Sequence, residues 1–148
     1  MGNQNLEIKS EFFKLAEFTR SATADRLHIN NYPTKEVVEN IQYGVDMVLD
    51  PLRRLYKKPI VIGSGFRCPA VNKAVGGVPN SWHQLGCAAD LRIFSDEDAK
   101  LKFELLKTLP SVDTVLFEHN GKGGKWLHVQ WSKEKQPRHH FNFNYLAK

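Results

Sequence analysis

The sequence predicts an α+β fold in which helices pack on a mainly antiparallel sheet. Three observations predict it. Helix-period apolar stripes dominate the first third of the chain, short strand-like runs dominate the later part, and no regular strand–helix–strand alternation connects them. At 148 residues, with 41% hydrophobic and 25% charged residues, the chain has the balance of a globular protein and the length of a single domain, 1–148.

The elements follow in order. In "KSEFFKLAEFT", Ser10 is placed to cap a helix on which Phe12, Leu15 and Ala16 recur at helical spacing. After a polar connection, Thr34 caps the longest helix. Its stripe runs through Val38, Ile41, Val45, Val48, Leu52 and Leu55, and Pro51 should kink it or split off its last turns, because proline lacks a backbone donor and crowds the preceding turn. "PIVIGSG" reads as a short buried strand. "FRCPAVNKAVGGVPNSW", with two prolines and a Gly-Gly pair, reads as a long loop with one helical turn, of the kind that often carries function. "AADLRI" is a second strand, with Ala88, Asp90 and Arg92 on one face and Ala89, Leu91 and Ile93 on the other. Ser95 and Asp98 open a helix with an acidic first turn, a stripe of Leu101, Leu105 and Leu109, and a stop at Pro110. "VDTVLFE" and "KWLHVQW" form a hairpin across "HNGKGG". The tail from Ser132 onward is given no element.

Composition narrows the function classes. A net charge of +5 favours anionic partners, but the Lys and Arg residues are scattered, so no nucleic-acid-binding stripe is evident. No apolar run approaches the roughly 20 residues that span a bilayer, and the start has no basic region followed by an apolar one. The expectation is no membrane, no signal peptide, and a cytoplasmic monomer until release or export. Cys68 and Cys87 are neither a disulfide framework nor a CxxC pair, and they read as small buried residues.

The chemistry concentrates in a few polar residues set against the strand pattern. Asp90 lies inside one strand and His128 in the middle of another, while His83, seven positions before Asp90, sits at the end of the loop that feeds Asp90's strand. A catalytic zinc site needs three such ligands and an open position for water. Asp90, between Ala89 and Leu91, needs a cation or several donors if it is buried. Singly, a strand His is more often hydrogen-bonded in a core or at a surface, and a strand Asp more often faces solvent. Glu118 ends the preceding hairpin strand and could serve as general base if the register puts it on the same face as His128, whereas alternation would turn His119 away.

The block "SGFRCPAVNKAVGGVPNSWHQLGCAADLRI", followed by Glu118 and Trp126-Leu127-His128-Val129, resembles the signature of the zinc D-alanyl-D-alanine carboxypeptidase and L-alanyl-D-glutamate endopeptidase superfamily. The matching positions are Ser64-Gly65-Phe66-Arg67, Ser81, His83, Gly86, Ala88 and Asp90, then Glu118 and His128. The resemblance implies that His83, Asp90 and His128 bind Zn2+ and that Glu118 is the catalytic base. Arg67 would grip a substrate carboxylate or polarised carbonyl, and Ser81 would support it as a hydrogen-bond donor. The implied substrate is the peptidoglycan stem peptide, as for a phage lysin or an exported wall enzyme. The alternative is a non-cleaving wall-binding or phage structural module on the same fold. Cys87, inside the motif, reads as packing.

Overall fold

The computed structural model describes residues 6–144. The helices are α1 (Ala16–Thr19), α2 (Ala22–Leu27), α3 (Lys35–Gly44), α4 (Asp50–Tyr56), α5 (Pro69–Ala74) and α6 (Asp96–Lys107). The strands are β1 (Ile62–Ser64), β2 (Ala88–Arg92), β3 (Thr114–His119), β4 (Lys125–Gln130) and β5 (His140–Asn142), in one sheet ordered β1-β2-β4-β3-β5. All pairings are antiparallel except β3 with β5. The predicted fold class is the observed one. Among the described residues no helix is long and apolar enough to cross a membrane.

The long N-terminal helix breaks at its proline by widening. Thr34 accepts the Val37 N–H as its cap, and α3 then passes into a π turn over Val45–Leu49, closed by the Asp50 N–H on the Val45 carbonyl. This i→i+5 bond leaves room for the Pro51 ring, which sits in the first turn of α4. The π turn also shifts the phase of the apolar stripe. Val38, Ile41, Val45, Val48 and Leu52 are buried as predicted, but the last turn buries Tyr56 and leaves Leu55 46% exposed.

Other helices differ from the sequence reading, and α2 occupies the stretch read as a polar connection. Ser10 caps no helix: its oxygen accepts the N–H groups of Phe12 and Phe13 while its hydroxyl donates to Asp50 at 2.8 Å, and the helix begins only at Ala16. On α6, Ser95 accepts the Asp98 N–H as predicted, but the buried face is Ala99, Lys102, Phe103 and Leu106, with Leu101 half exposed. Lys102, fully buried, donates to Asp98 at 2.7 Å and to the Arg92 carbonyl at 3.1 Å.

The sheet has one face for the core and one for chemistry. Ala89, Leu91, Val115, Phe117, Leu127 and Val129 point into the helical layer and are buried, and Trp131 follows them in, its indole donating to the Asn40 carbonyl on α3. The alternate residues Asp90, His128 and Glu118 therefore share the opposite face.

The tail, without an element in the sequence reading, supplies β5, while 145–148 lie outside the described residues. Phe141 and Phe143 pack against Phe103, and Arg138 donates to the buried Asp113 at 2.8 Å. Burial alone would raise the Asp113 pKa, but hydrogen bonds from Arg138 and Thr114 outweigh it and hold the carboxyl below its usual range. Arg138 is 61% exposed, so solvent screens the pair. Arg138→Ala is expected to cost about 1 kcal/mol near neutral pH. Because the folded pKa is depressed, that contribution is present above the unfolded value of about 3.9 and is lost as pH falls through the lower folded value. Thermal unfolding of both proteins should therefore show a gap at pH 7 that closes in acid; a gap independent of pH would contradict this.

Candidate active site

Asp90 on β2 and His128 on β4 are directly opposite in the ladder, with Leu116 of β3 on the other side of His128. Two residues along β3, on the same face, stands Glu118 opposite Trp126. His119 falls on the other face, as alternation predicts. His83 arrives from outside the sheet on a 3-10 turn, Trp82–Leu85. Ser81 caps this turn by accepting the His83 N–H at 3.1 Å, and Gly86 ends it at φ +77. A side chain at Gly86 would also meet the Val37 carbonyl at 2.6 Å, so glycine lets the turn lie directly on α3.

Arg67 is fixed from both ends. Its N–H donates to the His83 carbonyl, and the buried Asn31 bridges the neighbouring backbone by donating to Phe66 O and accepting from Cys68 N. Its guanidinium donates to Ser64 Oγ at 3.2 Å, Asn72 Oδ1 at 3.2 Å and Asp90 Oδ2 at 3.3 Å. Asn72 is itself buried and donates to the Val78 carbonyl. Asn31 and Asn72 are absent from the sequence reading: Asn31 gives no local sign of a partner 35 residues away, and Asn72, on α5, meets Arg67 only once the chain before that helix has turned back.

His83, Asp90 and His128 converge, their ligand atoms within 4.8 Å of one another. Asp90 Oδ1 lies 3.3 Å from His83 Nε2 and 2.9 Å from His128 Nδ1. Each ring is tied on its far side: His83 Nδ1 to the Gly65 carbonyl at 2.7 Å, His128 Nε2 to Gln130 Oε1 at 2.7 Å. A carbonyl can only accept, so His83 donates from Nδ1, and in the neutral ring Nε2 keeps its lone pair toward Asp90. Acceptors converging in this way require a positive charge among them. Zinc–ligand bonds of about 2.0–2.1 Å in a tetrahedron put neighbouring ligand atoms roughly 3.3 Å apart, close to the two separations from Asp90 Oδ1. The residues therefore fit a metal ion.

The electrostatics agree with that polarity. Burial alone would raise Asp90, but His83 and His128 beside it hold its carboxyl well below the usual range. Burial would lower His128, but Asp90 outweighs it and raises the ring. Glu118 is raised, chiefly by burial and further by the Asp90 charge, against the pull of His128 and of Trp126, whose indole donates to it at 2.8 Å. Cys87 lies outside the group that could hold a metal, and burial pushes its thiol up to about 11, which suits packing. Both cysteines are free.

A buried His-Asp-His centre, with a carboxylate on the same sheet face and an arginine bonded to its aspartate, is the kind of site metal-dependent hydrolases use. The chain belongs to the peptidase M15 family, whose model matches residues 11–130, a span that contains every one of these side chains. Membership implies a metallopeptidase. None of the curated proteins matches the chain.

Proposed function

We propose that this chain is a zinc peptidase that hydrolyses peptide bonds in peptidoglycan stem peptides, of the D-Ala-D-Ala carboxypeptidase or L-Ala-D-Glu endopeptidase type. The observation that carries the reading is the convergence of His83, Asp90 and His128 beside Glu118 and Arg67 in a chain of this peptidase family. His83 Nε2, an Asp90 oxygen and His128 Nδ1 would hold the ion. When bound, zinc polarises a carbonyl and lowers the pKa of a water.

The remaining roles fall to the chain itself. Glu118 accepts the proton of the attacking water and returns it to the leaving amine; its raised pKa makes it a stronger proton acceptor than an ordinary glutamate. Arg67 has five N–H donors, and Ser64, Asn72 and Asp90 engage one each. The other two are left for a substrate carboxylate or a developing oxyanion, the paired recognition at which guanidinium excels. Ser81 supports the site by fixing the turn that carries His83. The net charge of +5 favours approach to anionic wall material.

The test is metal analysis of the wild type and His83→Ala, with both incubated on purified peptidoglycan and the fragments identified by mass. The expected result is about one zinc per wild-type chain and stem-peptide fragments that His83→Ala does not release; the fragment masses name the bond cleaved. Wild type without stoichiometric metal, or identical fragments from both proteins, would sink the reading. Metal-loaded wild type that releases nothing would leave a wall-binding module that does not cleave.

A further inference from the structure

We infer that Gln130 is a positioning residue for the metal centre: it holds the His128 ring in the tautomer that leaves Nδ1 free to bind metal. This rests on the zinc reading of His83, Asp90 and His128.

The backbone puts Gln130 in place. It lies two residues beyond His128 on β4, so both side chains leave the same face of the sheet. Its Cα partners are Ala88 on β2 and Thr114 on β3, two small residues that leave room for the amide to reach along the strand. The Gln130 carbonyl also accepts the Asp113 N–H at 2.9 Å, which fixes the strand at this end.

The contact itself is short, 2.7 Å from Gln130 Oε1 to His128 Nε2. An amide oxygen accepts, so Nε2 carries a proton; with a metal bound at Nδ1, the atom 2.9 Å from Asp90 Oδ1, that is the one proton the neutral ring keeps. His83 is arranged the same way in mirror order: the Gly65 carbonyl takes the Nδ1 proton and Nε2 faces Asp90. Each histidine thus carries an oxygen acceptor behind it and turns its other nitrogen toward Asp90, the pattern that fixes ring orientation in metal sites. The backbone supplies the acceptor for His83, and a side chain supplies it for His128. Only the latter can be removed by substitution. With the amide turned over, its NH2 would donate to Nε2 and force the proton onto Nδ1, which would block the ligand atom.

Zinc affinity of the full chain, measured by competition with a chromophoric chelator, tests this with Gln130→Leu and Gln130→Glu. Leucine keeps the bulk and removes the acceptor; glutamate keeps the acceptor. Gln130→Leu is expected to bind zinc about 10- to 100-fold more weakly, and Gln130→Glu to bind within a few-fold of wild type or more tightly. Nitrogen-15 NMR of the imidazoles in zinc-loaded wild type should show His128 protonated at Nε2 and metal-bound at Nδ1. That spectrum decides the question even if the leucine variant does not fold. Wild-type affinity in Gln130→Leu, or a His128 protonated at Nδ1 in the wild type, would overturn the inference. A wild type that binds no zinc would overturn the zinc reading along with it, whereas tight wild-type binding unaffected by leucine removes only the role of Gln130.

Discussion

Glu118→Gln is expected to lower kcat on peptidoglycan by about 10²- to 10⁴-fold, the usual contribution of a positioned general base, while the protein keeps its zinc. The two halves of that expectation come from different observations. Glu118 is outside the His83, Asp90 and His128 group that could hold a metal, so replacing it should leave the proposed ligand set intact. It stands on the same sheet face as Asp90 and His128, close enough that their charges act on its carboxyl. Glutamine has the same shape, and its oxygen can still accept the Trp126 indole N–H, so the hairpin has no reason to rearrange. What disappears is the ability to take a proton. Metal content and turnover measured on the same preparation separate the possibilities: loss of zinc would make Glu118 a ligand, and undiminished turnover would assign the proton transfer to another group.

Much of this site was legible because its residues interrupt a local pattern. Asp90 and His128 are polar residues within apolar strand runs, and period-two alternation then fixed their face and that of Glu118 while turning His119 away. The helix caps at Thr34 and Ser95 were equally local, each satisfied within three residues. The misreadings arose where distant partners decide. Ser10 has capping chemistry, yet its hydroxyl is committed to Asp50, 40 positions away. On α6 the sequence offers two helix-spaced stripes, and the one buried is the one that packs on α4 and the sheet, with Phe141 and Phe143 reaching Phe103 from the far end of the chain. The buried Lys102 conceals the winning face, since a lysine reads as solvated until Asp98 and the Arg92 carbonyl are seen around its ammonium. β5 pairs in parallel with β3 in a segment too polar to announce a strand. Gln130 is an intermediate case: alternation places it on the face of His128, but only the three-dimensional contact shows that it reaches back.

Asp90→Ala should abolish both hydrolysis and the stabilisation of the fold by zinc, and the second effect can be measured without any substrate. Asp90 is the hub of the site: one oxygen meets both histidines, and the other meets Arg67. In the wild type, zinc at 100 times its Kd stabilises the folded state by about 2.7 kcal/mol. For a chain of this size that corresponds to a rise in Tm of about 5–11 °C. The stability of the metal-free variant is a poorer guide, because losing the Arg67 pair and relieving the burial of a carboxylate act in opposite directions. Ser64 and Asn72 would still hold the guanidinium. The zinc dependence avoids that ambiguity: it compares each protein with itself, so whatever the substitution does to the metal-free fold cancels. Thermal unfolding of wild type, Asp90→Ala and Asp90→Asn, each with and without zinc, should show the rise in the wild type alone. Asparagine keeps the shape of the side chain and removes its charge, so the loss of the rise in Asp90→Asn would assign zinc binding to the carboxylate charge. A full rise in Asp90→Ala would place the ion elsewhere and remove Asp90 from the ligand set.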